Sequence, residues 1–284
     1  MTKDELRESL LSSQALSGLA TAIADSASEC IAVKSLPVGS ESKIPVGASK
    51  IGGKPDLPSK FEWPTARDFP LIFLAQIALS DVPQLEETPR LPQSGLLSFF
   101  FDAEEQPWGF DPKDSGSWKV VYTPNIDDLS RREFPDDFFP ESEFKACRLS
   151  LSRSLSLPSW ERAAAHALDL NEEEMNAYEE VALQLRSSGH QLLGLPSVVQ
   201  GDHMELQCQL TSHGLYCGDS TGYDDPRAKA LSPGAAEWRL LMQFESDDDV
   251  GMMWGDGGCL YFWIREQDLA LQNFDNVWVV LQCY

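Results

Sequence analysis

Two runs decide how this chain is read: Pro70-Leu71-Ile72-Phe73-Leu74-Ala75-Gln76-Ile77-Ala78-Leu79 and Trp238-Arg239-Leu240-Leu241-Met242-Gln243-Phe244-Glu245. Each is a short apolar stretch with one Gln near its end. After a loop, each is followed by a Gly that opens an aromatic-rich run, Gly95-Leu96-Leu97-Ser98-Phe99-Phe100-Phe101-Asp102 and Gly258-Cys259-Leu260-Tyr261-Phe262-Trp263-Ile264. Apolar runs of this length bounded by turn residues predict buried strands. The correspondence extends upstream to Gly53-Lys54-Pro55 and Gly194-Leu195-Pro196, and downstream to Trp118-Lys119-Val120-Val121-Tyr122 and Trp278-Val279-Val280-Leu281. Gln76 maps onto Gln243 at an offset of 167 and Gly95 onto Gly258 at 163. Four blocks in one order with small loop changes predict a duplicated unit.

Outward from these blocks, Thr2-Lys3-Asp4-Glu5 has the form of a capping box. Leu6, Leu10, Leu11, Leu19 and Ile23 recur at helical spacing and predict one amphipathic helix over 3–25. A strand is expected over 30–36, and alternation over 146–157 predicts a half-exposed one. Ser159 and Asn171 cap two helices, the first running to about 168 and the second ended by Gly189. Residues 204–210 read as a strand, and 278–284 as a strand that is internal or well paired. The predicted fold class is α+β with largely antiparallel sheets, two internally repeated β-rich units, an N-terminal helix and a helical insertion between the units. The whole of 1–284 is read as a single domain, divided into a helix and strand (1–36), a first repeat (50–123), a connecting strand and helices (124–190) and a second repeat (191–284).

The composition bounds the function. Of 284 residues, 42% are hydrophobic, which is ordinary for a chain that buries a core. Lys and Arg number 22 against 45 Asp and Glu, a net charge of -23 that repels phosphate backbones and argues against nucleic acid. From Gln191 onward there are 14 acids against 4 bases, which reads either as a solvated acidic face that aids solubility or as a surface that draws a basic protein partner or a metal. No apolar run approaches the roughly 18 residues of a membrane helix, and the start of the chain reads as a helix opening rather than an export signal. A cytoplasmic protein whose six cysteines stay reduced is expected.

The Gly-Gly-x-Pro block at Gly52 to Pro55, Phe73-Leu74-Ala75-Gln76-Ile77, Leu192-Leu193-Gly194-Leu195-Pro196, and Met252-Met253-Trp254-Gly255-Asp256 with Leu260-Tyr261-Phe262-Trp263-Ile264 together resemble the YwqG-like family of bacterial domains of unknown function. The resemblance spans essentially the whole chain. It implies an α+β domain of uncharacterised role, carries no catalytic residues over, and makes an immunity-like, protein-binding role thinkable.

Candidate chemistry is sparse. His203, Cys208, His213 and Cys217 fall within fifteen residues and are types that suit zinc, but their spacing is not that of paired zinc knuckles, and no metal or cofactor is expected. Asp247-Asp248-Asp249 lacks the register of a calcium loop and reads as an acidic turn. Nucleophile and phosphate-binding motifs are missing. Two readings follow. One is a non-catalytic binding or interaction module. The other is a small-molecule binder or enzyme with a cleft between the repeats, floored by Gln76 and Gln243 and rimmed by Trp254 and Asp256.

Overall fold

A computed structural model describes residues 1–86, 91–136, 143–165, 168–186 and 189–284, with only the backbone described at 163–165. Ten strands form one sheet: β1 Ser28–Pro37, β2 Lys50–Ile51, β3 Ile72–Ala78, β4 Leu96–Phe101, β5 Trp118–Thr123, β6 Cys147–Ser156, β7 His190–Leu192, β8 Trp238–Glu245, β9 Cys259–Arg265 and β10 Trp278–Gln282. Their order across the sheet is β10-β9-β8-β7-β1-β6-β2-β3-β4-β5, with every pairing antiparallel.

At the centre, β1 and β6 pair along their full length, from Ser28 opposite Ser156 to Pro37 opposite Cys147. On either side lies a short strand and then a three-stranded meander. The short strand β2 bonds to β6, and β7 bonds to β1, so each long strand completes the sheet on the far side. The sequence reading expected two sheets side by side. Instead, there is one continuous large sheet, because the two long strands bond each other.

The sheet curls until its ends nearly meet, making an almost closed barrel. Trp118 at the start of β5 donates its indole N–H to Val277 O (2.8 Å), and Trp278 at the start of β10 donates to Gly109 O (2.8 Å). The two indoles sit edge to face with centroids 5.0 Å apart. Leu281 N–H bonds Trp108 O at 3.1 Å, so a loop rather than a strand covers the outer edge of β10. β10 was expected to be internal or well paired. It is the last strand of the sheet, paired on one side only. Gly109 is required there: its φ is +78, and a Cβ would lie 1.8 Å from Val279 O.

Inside the barrel, Phe99 of β4 packs edge to face on Phe244 of β8 and Phe262 of β9, with centroids 5.5 and 5.4 Å apart. The two strand sets thus share one core. The outer face of β3 and β4 is also covered, by a cluster of Leu57, Leu71, Phe73 and Phe100 with Phe61 and Trp63 packed on it. Strands with a packed layer on both faces need apolar residues at successive positions, which is why these runs lack alternation.

The expected N-terminal helix is two. α1 spans Lys3–Leu11, with the Thr2/Glu5 capping box in place, and α2 spans Ala20–Ser26. Ser13 Oγ accepts the Leu16 N–H at 3.3 Å, offering the backbone an alternative to helix between them. The helix expected after Ser159 is described as α3, Trp160–Ala165, and residues 166–167 lie outside the described ones. α4, Glu172–Leu185, is capped by Asn171. Its Tyr178 packs with Leu6, Leu10 and Ile23 of α1 and α2 over Leu155 and Leu157 at the end of β6. The strand expected over 204–210 is a helix, α5, Met204–Thr211. Met204, Leu206, Cys208 and Leu210 alternate, but Met204, Cys208 and Thr211 also fall at i, i+4 and i+7. The helix-favouring Met, Glu, Leu and Gln decide for the second period once a barrel end is there to cover.

Candidate binding groove

Gln76 and Gln243 are buried and serve the same local purpose. Gln76 Oε1 accepts the N–H of Asp56, the residue after Gly53-Lys54-Pro55, at 2.9 Å. Gln243 Oε1 accepts the N–H of Ser197, the residue after Gly194-Leu195-Pro196, also at 2.9 Å. Further contacts match at the same offsets. Gly52 N–H bonds Leu74 O at 2.7 Å, and Leu193 N–H bonds Leu241 O at 3.2 Å. Each acceptor lies at a bulge, between Phe73 and Ala75 in β3 and between Leu240 and Met242 in β8. Ser49 Oγ accepts from Ala78 N at 2.9 Å, and His190 Nδ1 accepts from Glu245 N at 3.1 Å. Two successive left-handed residues make each turn: Gly52 (φ 67) and Gly53 (φ 67), and Leu193 (φ 62) and Gly194 (φ 77). An amide inside an apolar strand thus clasps the loop that follows the neighbouring short strand.

What surrounds the two clasps differs. At the first, Lys50 is fully buried, and its ammonium bonds Glu41 Oε1 at 2.8 Å and Lys54 O. Asp56, also fully buried, lies 3.7 Å from Lys50 and accepts from Arg131 Nε at 2.9 Å and from Gln76 Nε2 at 2.7 Å. Burial pushes the Lys50 ammonium below its ordinary range, against the pull of Glu41 and Asp56. The pairing of Asp56–Pro58 with Leu129–Arg131 lies over this network. Sequence reasoning missed Lys50, Asp56 and Arg131. The signal for the first two was a charge on each side of Gly52-Gly53 in a buried stretch, whereas nothing local pointed to Arg131.

At the second clasp, Lys50 is replaced by Gln191 and Asp56 by Ser197. Gln191 Nε2 donates to Leu195 O at 2.8 Å, where Lys50 donates to Lys54 O. Among the described residues no such strand pair forms at this clasp. Gln191, Pro196 and Ser197 instead open on a groove of about 330 Å³ between the end of β6, the start of α3 and the C-terminal half of α4. Leu155 and Leu157 floor it, Val198 lines it from the loop side, and Trp160 and Leu183 stand at its margin, 52% and 67% exposed. Tyr178 steadies one wall by donating its hydroxyl to Pro158 O at 2.8 Å, and burial raises its phenol above the ordinary range.

Both arginines at the groove are taken up by carboxylates. Arg162 bonds Asp202 and Glu205, and Ser159 Oγ donates to Asp202 at 2.6 Å. Arg186, on the groove wall, pairs with Glu245. Burial opposes the charge of each arginine, and the partner carboxylates more than offset it, leaving both above their ordinary values. Glu179 faces the groove and is exposed. The stretch that builds the groove, 159–205, carries nine carboxylates and two arginines, so its uncompensated charge is negative.

The remaining candidate residues lie elsewhere. Trp254 is fully buried, edge to face with Phe101 (5.8 Å) and Phe144 (5.9 Å), so it fills the barrel end rather than rimming a cleft. Asp256 is exposed in the turn beyond it. Asp247 shapes the acidic turn, accepting from Ser35 Oγ (2.6 Å) and Asp249 N (2.9 Å), with His190 Nε2 3.1 Å away. The His190 hydrogen bond holds this carboxyl well below the usual carboxylate range. Cys208 faces the main core from α5, Cys217 packs in a separate cluster with Leu210 and Leu215, and His203 and His213 are exposed. Among the described residues no group of three His, Cys, Asp or Glu side chains is placed to hold a metal ion. Three of the thiols are poor nucleophiles: burial pushes Cys30 up to about 12 and Cys208 and Cys259 well above their ordinary value.

The fold and groove define an α+β domain built on one nearly closed antiparallel sheet, with a concave apolar site outside the barrel. The chain belongs to the family described as Domain of unknown function (DUF1963), whose family model matches residues 49–283. No curated protein matches the chain. No helix among the described residues is long and apolar enough to cross a membrane.

Proposed function

We propose that this protein is a non-catalytic interaction module whose partner is a basic protein. The observation that carries the reading is an open apolar groove with the exposed carboxylate of Glu179 on its wall, in a stretch where carboxylates outnumber arginines and both arginines are already paired. Apolar floors with charged margins are how protein surfaces combine affinity with choice of partner. The raised thiols and the lack of a metal-holding cluster among the described residues leave little for a catalytic reading to build on. Six unpaired cysteines support a reducing, cytoplasmic setting. The matched clasps support descent from a duplicated unit whose long strands are exchanged. The Gly-x-Pro and Trp-Gly-Asp blocks support placing the chain among YwqG-like bacterial domains, where an immunity-like role is in keeping with binding.

Affinity capture from native lysate at low salt, repeated at about 0.5 M salt, tests the reading. A basic protein retained at low salt and released at high salt is the expected result. Retention of no basic protein at either salt would count against it.

A second reading has its own observation. A cavity of about 290 Å³ lies between the two strand sets, lined by Leu79, Val82, Leu193 and Leu269. With Gln84, Gln93 and Gln272 also on its wall, it suits a small ligand of mixed polarity, at a different place from the one Trp254 and Asp256 suggested.

A further inference from the structure

The groove's size and margin narrow what fits it. About 330 Å³ has room for one or two large side chains and no more. Leu183, on the last turn of α4, and Trp160, at the start of α3, are both large, apolar and mostly exposed at its edge. Exposed aromatic and aliphatic side chains flanking a preformed apolar floor are the usual anchors of recognition, and a partner helix fills such a floor with side chains one turn apart. The neighbouring charge is of one sign. Glu179 lies on the wall and is exposed, while Arg162 and Arg186 are neutralised by Asp202, Glu205 and Glu245. An acidic segment or an anionic membrane surface would meet repulsion here, and a cationic one attraction.

We propose that the groove receives a basic amphipathic helix of a partner protein, which sets two large apolar side chains between Trp160 and Leu183 and a lysine or arginine against Glu179. This rests on the reading of the chain as a binding module for a basic protein. Trp160 and Leu183 supply the apolar contact, and the Glu179 carboxylate sets orientation and salt dependence. The second clasp bears on the groove indirectly, since Gln243 holds Ser197 N–H and so fixes the loop that carries Pro196 and Val198.

The test uses the full chain and a synthetic peptide of about 14 residues, leucine and lysine placed so that the leucines share one helical face. Its controls are a scrambled peptide of the same composition and a leucine–glutamate peptide. Titration calorimetry reads binding to the parent and to Trp160→Ala, Leu183→Ala and Glu179→Lys, each first matched to the parent by thermal melting. The patterned basic peptide should bind the parent, and about tenfold more weakly to Trp160→Ala and to Leu183→Ala. Glu179→Lys should weaken it several-fold and flatten its salt dependence. The scrambled peptide should bind about tenfold more weakly than the patterned one, and the glutamate peptide not at all. Binding that ignores Trp160→Ala and Leu183→Ala, or equals that of the scrambled peptide, overturns the groove proposal while leaving a basic partner elsewhere on the surface. No binding of either basic peptide overturns the proposal, and the binding-module reading then stands or falls on the lysate capture. If Nile red binds the groove and neither basic peptide displaces it, the site belongs to a small molecule and the proposal fails.

Discussion

The two clasps invite comparison because their backbones agree and their surroundings do not. In both, a strand amide holds the N–H after a Gly-x-Pro turn, the N–H just past a short strand bonds a bulge carbonyl, and two left-handed residues turn the chain. Around the first, Lys50, Glu41, Asp56 and Arg131 form a buried charged network beneath a ribbon. Around the second, neutral Gln191 and Ser197 stand in place of Lys50 and Asp56, the Gln243 amide donates instead to Glu245, which pairs with Arg186, and one face is open. One backbone device can thus carry side chains of different character at two places in the same sheet. The closed clasp joins the 41–58 loop to Leu129–Arg131. The open one presents a surface.

The comparison is broken most severely by removing one charge from the closed clasp. Asp56→Ala leaves Lys50 and Arg131 with only Glu41 of their two shared carboxylates and removes an acceptor from Gln76 Nε2. A loss of about 3–5 kcal/mol is expected in urea unfolding. The matching Ser197→Ala should stay within about 0.5 kcal/mol, because Gln243 holds Ser197 through its backbone N–H. Equal effects at the two positions would show that the surroundings do not differ in energy as they do in charge.

A second break tests the turns. Gly52→Ala would set a Cβ 2.3 Å from Lys145 O, at a φ of +67, and should cost about 2–4 kcal/mol. At the equivalent place in the open clasp Leu193 already adopts φ 62, with its side chain in the main core. A Gly52→Ala protein that melts like the parent would remove the steric distinction between the two turns.

The smallest effect concerns the edge of the second set. Asp247→Asn should cost about 1–3 kcal/mol near pH 7 by weakening charged hydrogen bonds from Ser35, His190 and Asp249. The folded carboxyl sits below its unfolded value, so its stabilisation is present above about pH 4 and is lost as pH falls below that. The difference between parent and variant, followed by chemical unfolding from pH 7 to 3, should therefore narrow on acidification. A difference that is constant over this range would mean the carboxylate charge is not what matters.

How far these features were legible in the chain can be judged residue by residue. The strands around Gln76 and Gln243 were readable because two-sided burial leaves unbroken apolar runs, and the capping box at Thr2 because it depends on residues three apart. The strand reading of 204–210 failed because its apolar residues satisfy both periods, and contact with a barrel end chose between them. Trp254 among glycines suggested a ligand loop, yet the same glycines let the turn lie close enough for its indole to enter the core.

The sequence by itself determined the apolar strands around Gln76 and Gln243, the caps at Thr2 and Asn171 and the acidic charge, because these rest on near neighbours and on sums over residues. Only the tertiary structure decided that β1 and β6 join the sets into one sheet, that Arg131 reaches Asp56 across 75 residues, and that the second clasp is left uncovered beside Trp160 and Leu183. Those outcomes depend on which distant surfaces meet, and local periodicity carries no record of that.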